Sequence, residues 1–392
     1  MHTAHSEGLA KGRAIVYNAV EARGESRLRA PLYVQGSIFE EMHRASESAV
    51  KTEVEFDGSL AATYPLSYCK GATEIHLGDA LELCSEWEPP VAIVSDGPYG
   101  VSGFDGDLPS ADGLAEWYEP HIVRWSEAAT PLTTLWFWNS ELGWATVHPV
   151  LVRHGWTYRA CCIWDKGIAH VAGNCNTRTL RKLPVVTEVC VHYTRAVRFD
   201  VNGRKLSMKE WLREEWLRSC IPLRKANDAC GVKDAATRKY LTQCHLWYFP
   251  PAEAFDRLSR YANQHGDPRG HPYFSIDGIN PLSGAQWESM RAKFQCELGT
   301  TNVWRSPAVR GTERLKNGSR CVHTNQKPLD IMQMLIRTST EADDVVWEPF
   351  GGLCTGAIAS YLLGRTCRSA EIDPHFYQLA ITRLSRTQRL SD

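Results

Sequence analysis

The chain has 392 residues, 43% apolar and 23% charged, with a formal net charge of -1, which describes a globular protein able to bury a sizeable core in one domain carrying an insertion or in two. No apolar run approaches the roughly 20 residues of a membrane span, and the opening "MHTAHSEGLAKGR" lacks the apolar segment of a signal peptide, so a cytoplasmic protein without membrane contact is expected. Thirteen cysteines occur without one CxxC pair, which predicts reduced thiols and neither a disulfide framework nor a metal site.

Residues 1–65 mix helix-like polar stretches such as "GSIFEEMHRASESAV" with no recognisable chemistry and read as an N-terminal extension. Over 66–196 the pattern changes. Short apolar runs, "TEIHLGD" (73–79), "VAIVSD" (91–96), "TTLWFWNS" (133–140), "RACCIWDK" (159–166) and "VVTEVCVHY" (185–193), predict strands. The intervening "ADGLAEWYEPHIVRWSEAA" and "WATVHPVLVRHG" repeat apolar residues at helical spacing. Strands alternating with helices predict a mostly parallel sheet covered on both faces.

Residues 197–318 lose this alternation, gain Pro, Gly and Trp, and read as an inserted domain. Charge separates it as well. Between Val201 and Arg320 there are 20 Lys+Arg against 12 Asp+Glu, and the remainder holds 24 against 33. Such a region fits a surface facing a polyanion, or simply a solvated basic face. From Leu223 the sequence predicts a helix, a turn at Gly231-Val232 and a second helix bearing Arg238 and Lys239, loosely a helix-turn-helix. The aromatics of "LWYFPPAEAF" are expected mainly in the core. Residues 319–392 resume the alternation: strand "DDVVWEPFGG", helix "TGAIASYLLGR" closed by Gly364, strand "CRSAEID", and helix "PHFYQLAITRL" opened by Pro374.

Two stretches carry chemistry. In "EPFGG" (Glu348 to Gly352) a strand runs through a glycine turn into a helix near Thr355, where the backbone can approach a ligand and the helix amino end favours anionic groups. The next strand ends in Glu371-Ile372-Asp373, where an acid can hold ribose hydroxyls. Either piece alone is an ordinary βα connection; together they favour a nucleoside cofactor. "DGPYG" (Asp96 to Gly100) is by itself a turn signal. At a strand end in the same sheet, its carboxylate and a backbone carbonyl could accept both hydrogens of an exocyclic amino group while Tyr99 stacks on the base.

These residues, with "HTNQKPLDIMQMLIRTSTEADDVVWEPFGGLCTGAIASYLLGRTCRSAEIDPHFYQLAITRL", resemble the DNA amino-methyltransferases that modify adenine-N6 or cytosine-N4. The order, catalytic tetrapeptide first and cofactor motif last, resembles their permuted β group, and the likeness covers about 73–195 and 320–386. It implies a Rossmann-like α/β fold dependent on S-adenosylmethionine, with circularly permuted motif order and an inserted, mainly helical target-recognition domain. Asp96, Gly97, Pro98 and Tyr99 take the catalytic positions, and Gly97 departs from the family's proline. Glu348, Phe350, Gly351, Gly352 and Thr355 fall on the cofactor motif, with Cys354 where a glycine is usual. Glu371 and Asp373 match the ribose side, Asp79 the acid near the cofactor's adenine, and Lys327 lies in the segment along its methionine end, with Asp96 also facing the cofactor. "WDK" (Trp164 to Lys166) is a further family landmark.

The resemblance implies a sequence-specific enzyme acting on a flipped base in double-stranded DNA, adenine-N6 favoured and cytosine-N4 the alternative, with Arg224, Lys225, Arg238 and Lys239 as DNA-contact candidates. A catalytically silent DNA-binding protein and an RNA or small-molecule methyltransferase are the rival readings. A homodimer, a cognate restriction endonuclease and association with the nucleoid are compatible with the family.

Overall fold

The computed structural model describes residues 65–389 except 103–105, 172–175, 269, 311–312, 318–319 and 322–324. The expected N-terminal extension lies outside the described residues, apart from its last position, as do His323 and Thr324.

A nine-stranded sheet organises the rest. Its amino half contains β1 (Ser67–Lys70), β2 (Thr73–Leu77), β3 (Ala92–Ser95), β4 (Thr134–Asn139), β5 (Trp156–Asp165) and β6 (Thr187–Arg195), with helices α1 (Ala80–Leu83), α2 (Leu114–Ala128) and α3 (Glu141–Arg153) between them. The middle segment forms a hairpin of β7 (Arg198–Val201) and β8 (Arg204–Ser207), then α4 (Met208–Arg218), α5 (Lys225–Cys230), α6 (Ala235–Tyr240), α7 (Ala252–His265) and α8 (Gly284–Glu288). After it come β9 (Val303–Arg305), a short hairpin of β10 (Lys316–Asn317) and β11 (Arg320–Cys321), α9 (Leu329–Ser339), β12 (Val345–Glu348), α10 (Thr355–Leu362), β13 (Thr366–Glu371) and α11 (Pro374–Arg386).

The strand order is β1-β2-β13-β12-β3-β4-β6-β5-β9. From β2 to β4 the five neighbours run parallel, whereas β6 is antiparallel to both β4 and β5, and β1 is antiparallel to β2. The tail's βαβα unit therefore slots between β2 and β3. Strands far apart in the chain end side by side.

Alternation along the strands splits the core in two. Ile93, Leu135 and Phe137 face a cluster with Tyr118, Trp125 and Val147 from α2 and α3. Their neighbours Val94, Trp136 and Trp138 face Leu335, Ile358 and Leu384 from α9, α10 and α11. The sheet is thus covered on both faces, which is why β3 and β4 are buried throughout and mainly apolar.

The segment between β6 and β9 builds a third cluster, in which Phe199, Trp211, Trp216, Phe255 and Trp287 pack together. The aromatics Phe249 and Trp287 stack with centroids 4.7 Å apart, and Phe249 is only partly buried. β9 then rejoins the large sheet beside β5. The expected insert of 197–318 thus includes a main-sheet strand near its carboxyl end, one whose three residues are too short for any periodicity to mark. No described helix is long and apolar enough to cross a membrane.

Candidate active site

The carboxyl ends of β2, β13, β12 and β3 are adjacent, and a cleft of about 680 Å³ opens above them. Asp79 follows β2, Glu371 ends β13 with Asp373 just beyond, and Glu348 ends β12 with Phe350, Gly351, Gly352 and Thr355 following. Asp96, Gly97, Pro98 and Tyr99 follow β3, and Lys327 precedes α9. All of these expected catalytic and cofactor residues line the same cleft. None of the four DNA-contact candidates does. Arg224, Arg238 and Lys239 are exposed on α5 and α6 or their edges, and Lys225 is paired with Asp228 at 2.7 Å.

The four acids expected on the cofactor side are held by backbone donors. Asp79 accepts from Leu81 N at 2.8 Å and caps α1; Asp373 accepts from His375 N at 2.7 Å and caps α11. Glu371 accepts from Gly352 N at 2.5 Å and Asp373 N at 2.8 Å, which ties the ends of β12 and β13 together. Glu348 receives Gly356 N at 2.6 Å, Ala357 N at 2.9 Å and the Ser369 hydroxyl at 2.8 Å, so its carboxylate sits on the amino end of α10. Burial pushes the carboxyls of Glu348 and Glu371 up to about 7 against these donors.

Cys354 stands at the amino cap of α10 with φ 50°, a left-handed conformation that glycine adopts without penalty. Its amide donates to Gly351 O at 2.6 Å and its sulfur lies 3.3 Å from the Ser369 hydroxyl oxygen. The family's turn is kept in shape with a side chain on it.

At the end of β3 the backbone is fixed from two sides. Asp107 accepts from Tyr99 N, Gly100 N and Val101 N at 2.8, 2.7 and 2.8 Å. The Pro98 carbonyl receives the Tyr118 hydroxyl at 3.1 Å and Asn139 Nδ2 at 3.0 Å. A Cβ on Gly97 would lie 2.7 Å from the Tyr118 oxygen and 2.8 Å from the Phe350 ring. Where the family pattern has proline, this chain has filled the space beside Gly97 with Tyr118 of α2 and Phe350 of the turn after β12.

The Asp96 carboxylate belongs to a charge cluster. Lys327 Nζ is 2.8 Å from Asp96 Oδ1 and 3.4 Å from Glu188 Oε2. The Tyr99 hydroxyl lies 2.9 Å from Asp96 Oδ1 and 3.3 Å from Glu188 Oε2, and Lys166 binds Glu188 Oε1. Burial pushes the Asp96 carboxyl up, against the pull of Lys327. Burial would raise Glu188 as well, but Lys327 and Lys166 outweigh it and hold that carboxyl low. Lys327 keeps its proton because Asp96 and Glu188 overcome the cost of burying it. Burial, then the two carboxylates, drive the Tyr99 hydroxyl well above its usual range, so it remains a donor.

Glu188, Lys166, Asp107, Tyr118 and Asn139 were not marked as site residues by the sequence, except that Lys166 falls in "WDK". One signal was available for Glu188: an acid within an apolar strand needs a partner. Among the described residues, no group of three or more His, Cys, Asp or Glu is arranged to hold a metal ion.

The parallel five-stranded core, with its crevice at a point where chain order reverses, defines a Rossmann-like α/β domain of permuted connectivity. The profile of the DNA methylase family N6_N4_Mtase matches residues 91–382. The chain belongs to that family. Among curated proteins it is similar to the type II methyltransferase M2.MboI of Moraxella bovis, 31% identical over 108 residues that make up 28% of this chain and 34% of that protein. It is also similar to the type II methyltransferase M.ScaI of Streptomyces caespitosus, 27% identical over 122 residues, 30% of this chain and 40% of that protein. The matches therefore span well under two thirds of either relative. Among solved structures it resembles the M1.HpyAVI–SAM complex, at 16% identity and TM-score 0.40 over 79% of this chain and 98% of that one. The cytosine-N4-specific PvuII DNA methyltransferase aligns at 12% identity and TM-score 0.46 over 79% and 85%.

Proposed function

We propose that the protein is a sequence-specific DNA methyltransferase, moving a methyl group from S-adenosylmethionine to the exocyclic amino nitrogen of a base flipped out of the duplex. Adenine-N6 is the favoured target and cytosine-N4 the second. The observation that carries this reading is that Asp96 to Tyr99 and the 348–355 turn, distant in the chain, line one cleft.

The cleft fits the cofactor. Its volume of about 680 Å³ lies within the usual range for small-molecule sites, and it offers the Phe350 and Trp117 rings, a glycine turn that admits close backbone approach, and the Glu371 carboxylate at a strand end. Glu371 and Asp373 would hold the ribose, Phe350 and Asp79 the adenine side, and the turn from Gly351 to Thr355 the amino-acid end. When bound, the cofactor supplies an electrophilic methyl group on a cationic sulfur.

The chain's own residues then prepare the nucleophile. Asp96 accepts one amino hydrogen and the Gly97 carbonyl the other, which draws the nitrogen lone pair out of conjugation with the ring. Both Lys327 and Tyr99 bind Asp96 at Oδ1, which leaves Oδ2 for the substrate. Asp107 holds the amides of residues 99–101, so the acceptors are preset rather than assembled on binding. The insert between β6 and β9 would supply target recognition and extra basic charge, and the enzyme would work on chromosomal DNA in the cytoplasm.

The test is transfer of labelled methyl from S-adenosylmethionine to mixed genomic DNA, followed by nucleoside analysis. Label in N6-methyladenine is expected. Label in N4-methylcytosine changes the target base, and no label in any nucleoside, with the cofactor bound, overturns the reading.

A further inference from the structure

We propose that Glu188 is a positioning residue of the transfer site, holding Lys327 and the Tyr99 hydroxyl between two carboxylates so that Asp96 stays open toward the substrate amino group. The inference rests on the methyltransferase reading above. Its ground is a double bridge. Lys327 Nζ lies 2.8 Å from Asp96 and 3.4 Å from Glu188, and the Tyr99 hydroxyl lies 2.9 Å and 3.3 Å from the same two groups.

Glu188 does not line the cleft, so it acts only through these neighbours. It is carried at the start of β6, half-buried after Thr187, with the buried Val189, Cys190 and Val191 following it. Replacing a whole buried ion-pair set by apolar side chains is often neutral or stabilising, so stability alone does not account for Glu188 together with its partners Lys166 and Lys327. Lys166 anchors Oε1 and leaves Oε2 for Lys327 and Tyr99.

The consequence of removing Glu188 follows from charge balance. Lys327 and Tyr99 would have Asp96 alone to satisfy, and the ammonium could close over both of its oxygens. The acceptor meant for the amino hydrogen would be spent, and the negative charge that offsets Lys327 would be gone. The groups facing Asp96 are Lys327 ahead of α9, Glu188 and Cys190 on β6, Tyr99 on its own segment and Tyr118 on α2, with Lys166 behind Glu188. Without Glu188, Lys327 dominates that set and stabilises ionised Asp96 further.

Steady-state kinetics of Glu188→Gln on DNA, across pH, test this. The expected result is a fall in kcat of about tenfold or more with the KM for S-adenosylmethionine changed less than about threefold. The acid limb of the kcat profile moves to lower pH, and Glu188→Asp recovers part of the rate. The single variant leaves two buried ammonium groups facing one carboxylate, so the charge-balanced Glu188→Gln/Lys166→Met variant is measured beside it. It is expected to be slow with the same shifted limb. Wild-type kcat in either variant, or an unmoved limb, overturns the proposal while wild-type transfer leaves the methyltransferase reading intact. A wild-type chain that binds the cofactor yet methylates no amino nitrogen overturns both.

Discussion

Arg383 is fully buried on α11 and its Nη1 donates to the Thr355 hydroxyl at 2.9 Å; the same nitrogen reaches the Leu353 carbonyl at 3.1 Å. The guanidinium thereby grips both residues flanking Cys354, the one position in the cofactor turn with a side chain in a left-handed conformation. Its Nε and Nη2 have no hydrogen-bond partner among the described residues, so the grip is kept at a cost in unsatisfied donors. If Arg383 serves to hold that turn, its removal matters less once the turn is easy to form. Arg383→Met is expected to weaken S-adenosylhomocysteine binding about tenfold, and much less in a Cys354→Gly background. Titration calorimetry on the four proteins of the cycle measures the coupling, and additive losses would show that Arg383 does not act through the turn.

Cys354 itself makes a stability prediction. A left-handed residue with a Cβ costs roughly 1–2 kcal/mol, and glycine escapes that cost but gives up a fully buried side chain and gains freedom when unfolded. These effects nearly cancel. Cys354→Gly should unfold within about 1 kcal/mol of the parent, whereas Cys354→Val, branched at Cβ where φ is 50°, should lose about 2 kcal/mol or more. Denaturant unfolding of the three proteins decides it, and a stable valine variant would mean that the turn has a second conformation.

Gly97 is constrained by space rather than by φ. Alanine there meets the Tyr118 hydroxyl and the Phe350 ring at less than van der Waals distance, and Phe350 lines the cleft. Gly97→Ala should reduce methyl transfer about a hundredfold by displacing the tetrapeptide, at a folding cost of about 1–3 kcal/mol. Tyr118→Phe loses only one of two donors to the Pro98 carbonyl and should cost about 1 kcal/mol. Adding it to Gly97→Ala should not restore activity, because Phe350 remains in place. Single-turnover rates give the readout, and full rescue would identify the hydroxyl as the sole obstacle.

How much of this could be read in advance depends on the distance over which each signal acts. β3 and β12 announced themselves as apolar runs ending in acids and glycines, β13 as the strand that completes the tail's βαβα pattern and ends in an acid, and those ends are the cleft. β1 did not, because "SYCK" is never fully buried and carries no apolar run, and β9 was too short. The antiparallel setting of β6 between β4 and β5 also escaped, since a buried strand reads alike in either direction. Lys327 was marked as a cofactor residue, and it does line the cleft, yet its ammonium is engaged by Asp96 and Glu188; that pairing depends on strands meeting in space and has no spacing in the sequence. Asp107 looks like any loop acid until three amides turn toward it. Arg383 was the more legible omission: it falls on the buried stripe of α11 with Leu379, Ala380 and Leu384, where a guanidinium needs a reason.

The cofactor turn also sets a pH dependence. Burial lifts the carboxyls of Glu348 and Glu371 from 4.5 to about 7, so the folded chain binds these protons more tightly than the unfolded one. Their contribution to stability is full below about 4.5 and is lost as the pH rises through about 7, by on the order of 3 kcal/mol per group at most. The unfolding free energy of Glu371→Gln should therefore fall less steeply than the parent's over that window. Binding of the cationic cofactor should run the other way, tightening as these acids ionise. Denaturant midpoints and cofactor affinities measured across the same pH series check both slopes, and a parent whose stability fell no faster than the variant's would place the Glu371 carboxyl in its ordinary range.

The basic residues of α5 and α6 are expected to act on DNA through phosphate rather than through bases. Arg238 and Lys239 are exposed in the last turn of α6, and Lys239 also lies 5.4 Å from the ring of the exposed Tyr248. Each phosphate neutralised releases counterions, so losing one contact lowers the dependence of log affinity on log salt by about 1 and weakens every duplex alike. Arg238→Ala and Lys239→Ala should each show that change. Lys225→Ala should show less, because Asp228 already holds its ammonium at 2.7 Å. Anisotropy titrations of a random duplex over a salt series, with the methyl-transfer target sequence in parallel, measure the slopes. Loss of affinity for the target alone would instead assign these side chains to base reading, and unchanged slopes in both variants would remove α6 from the DNA interface.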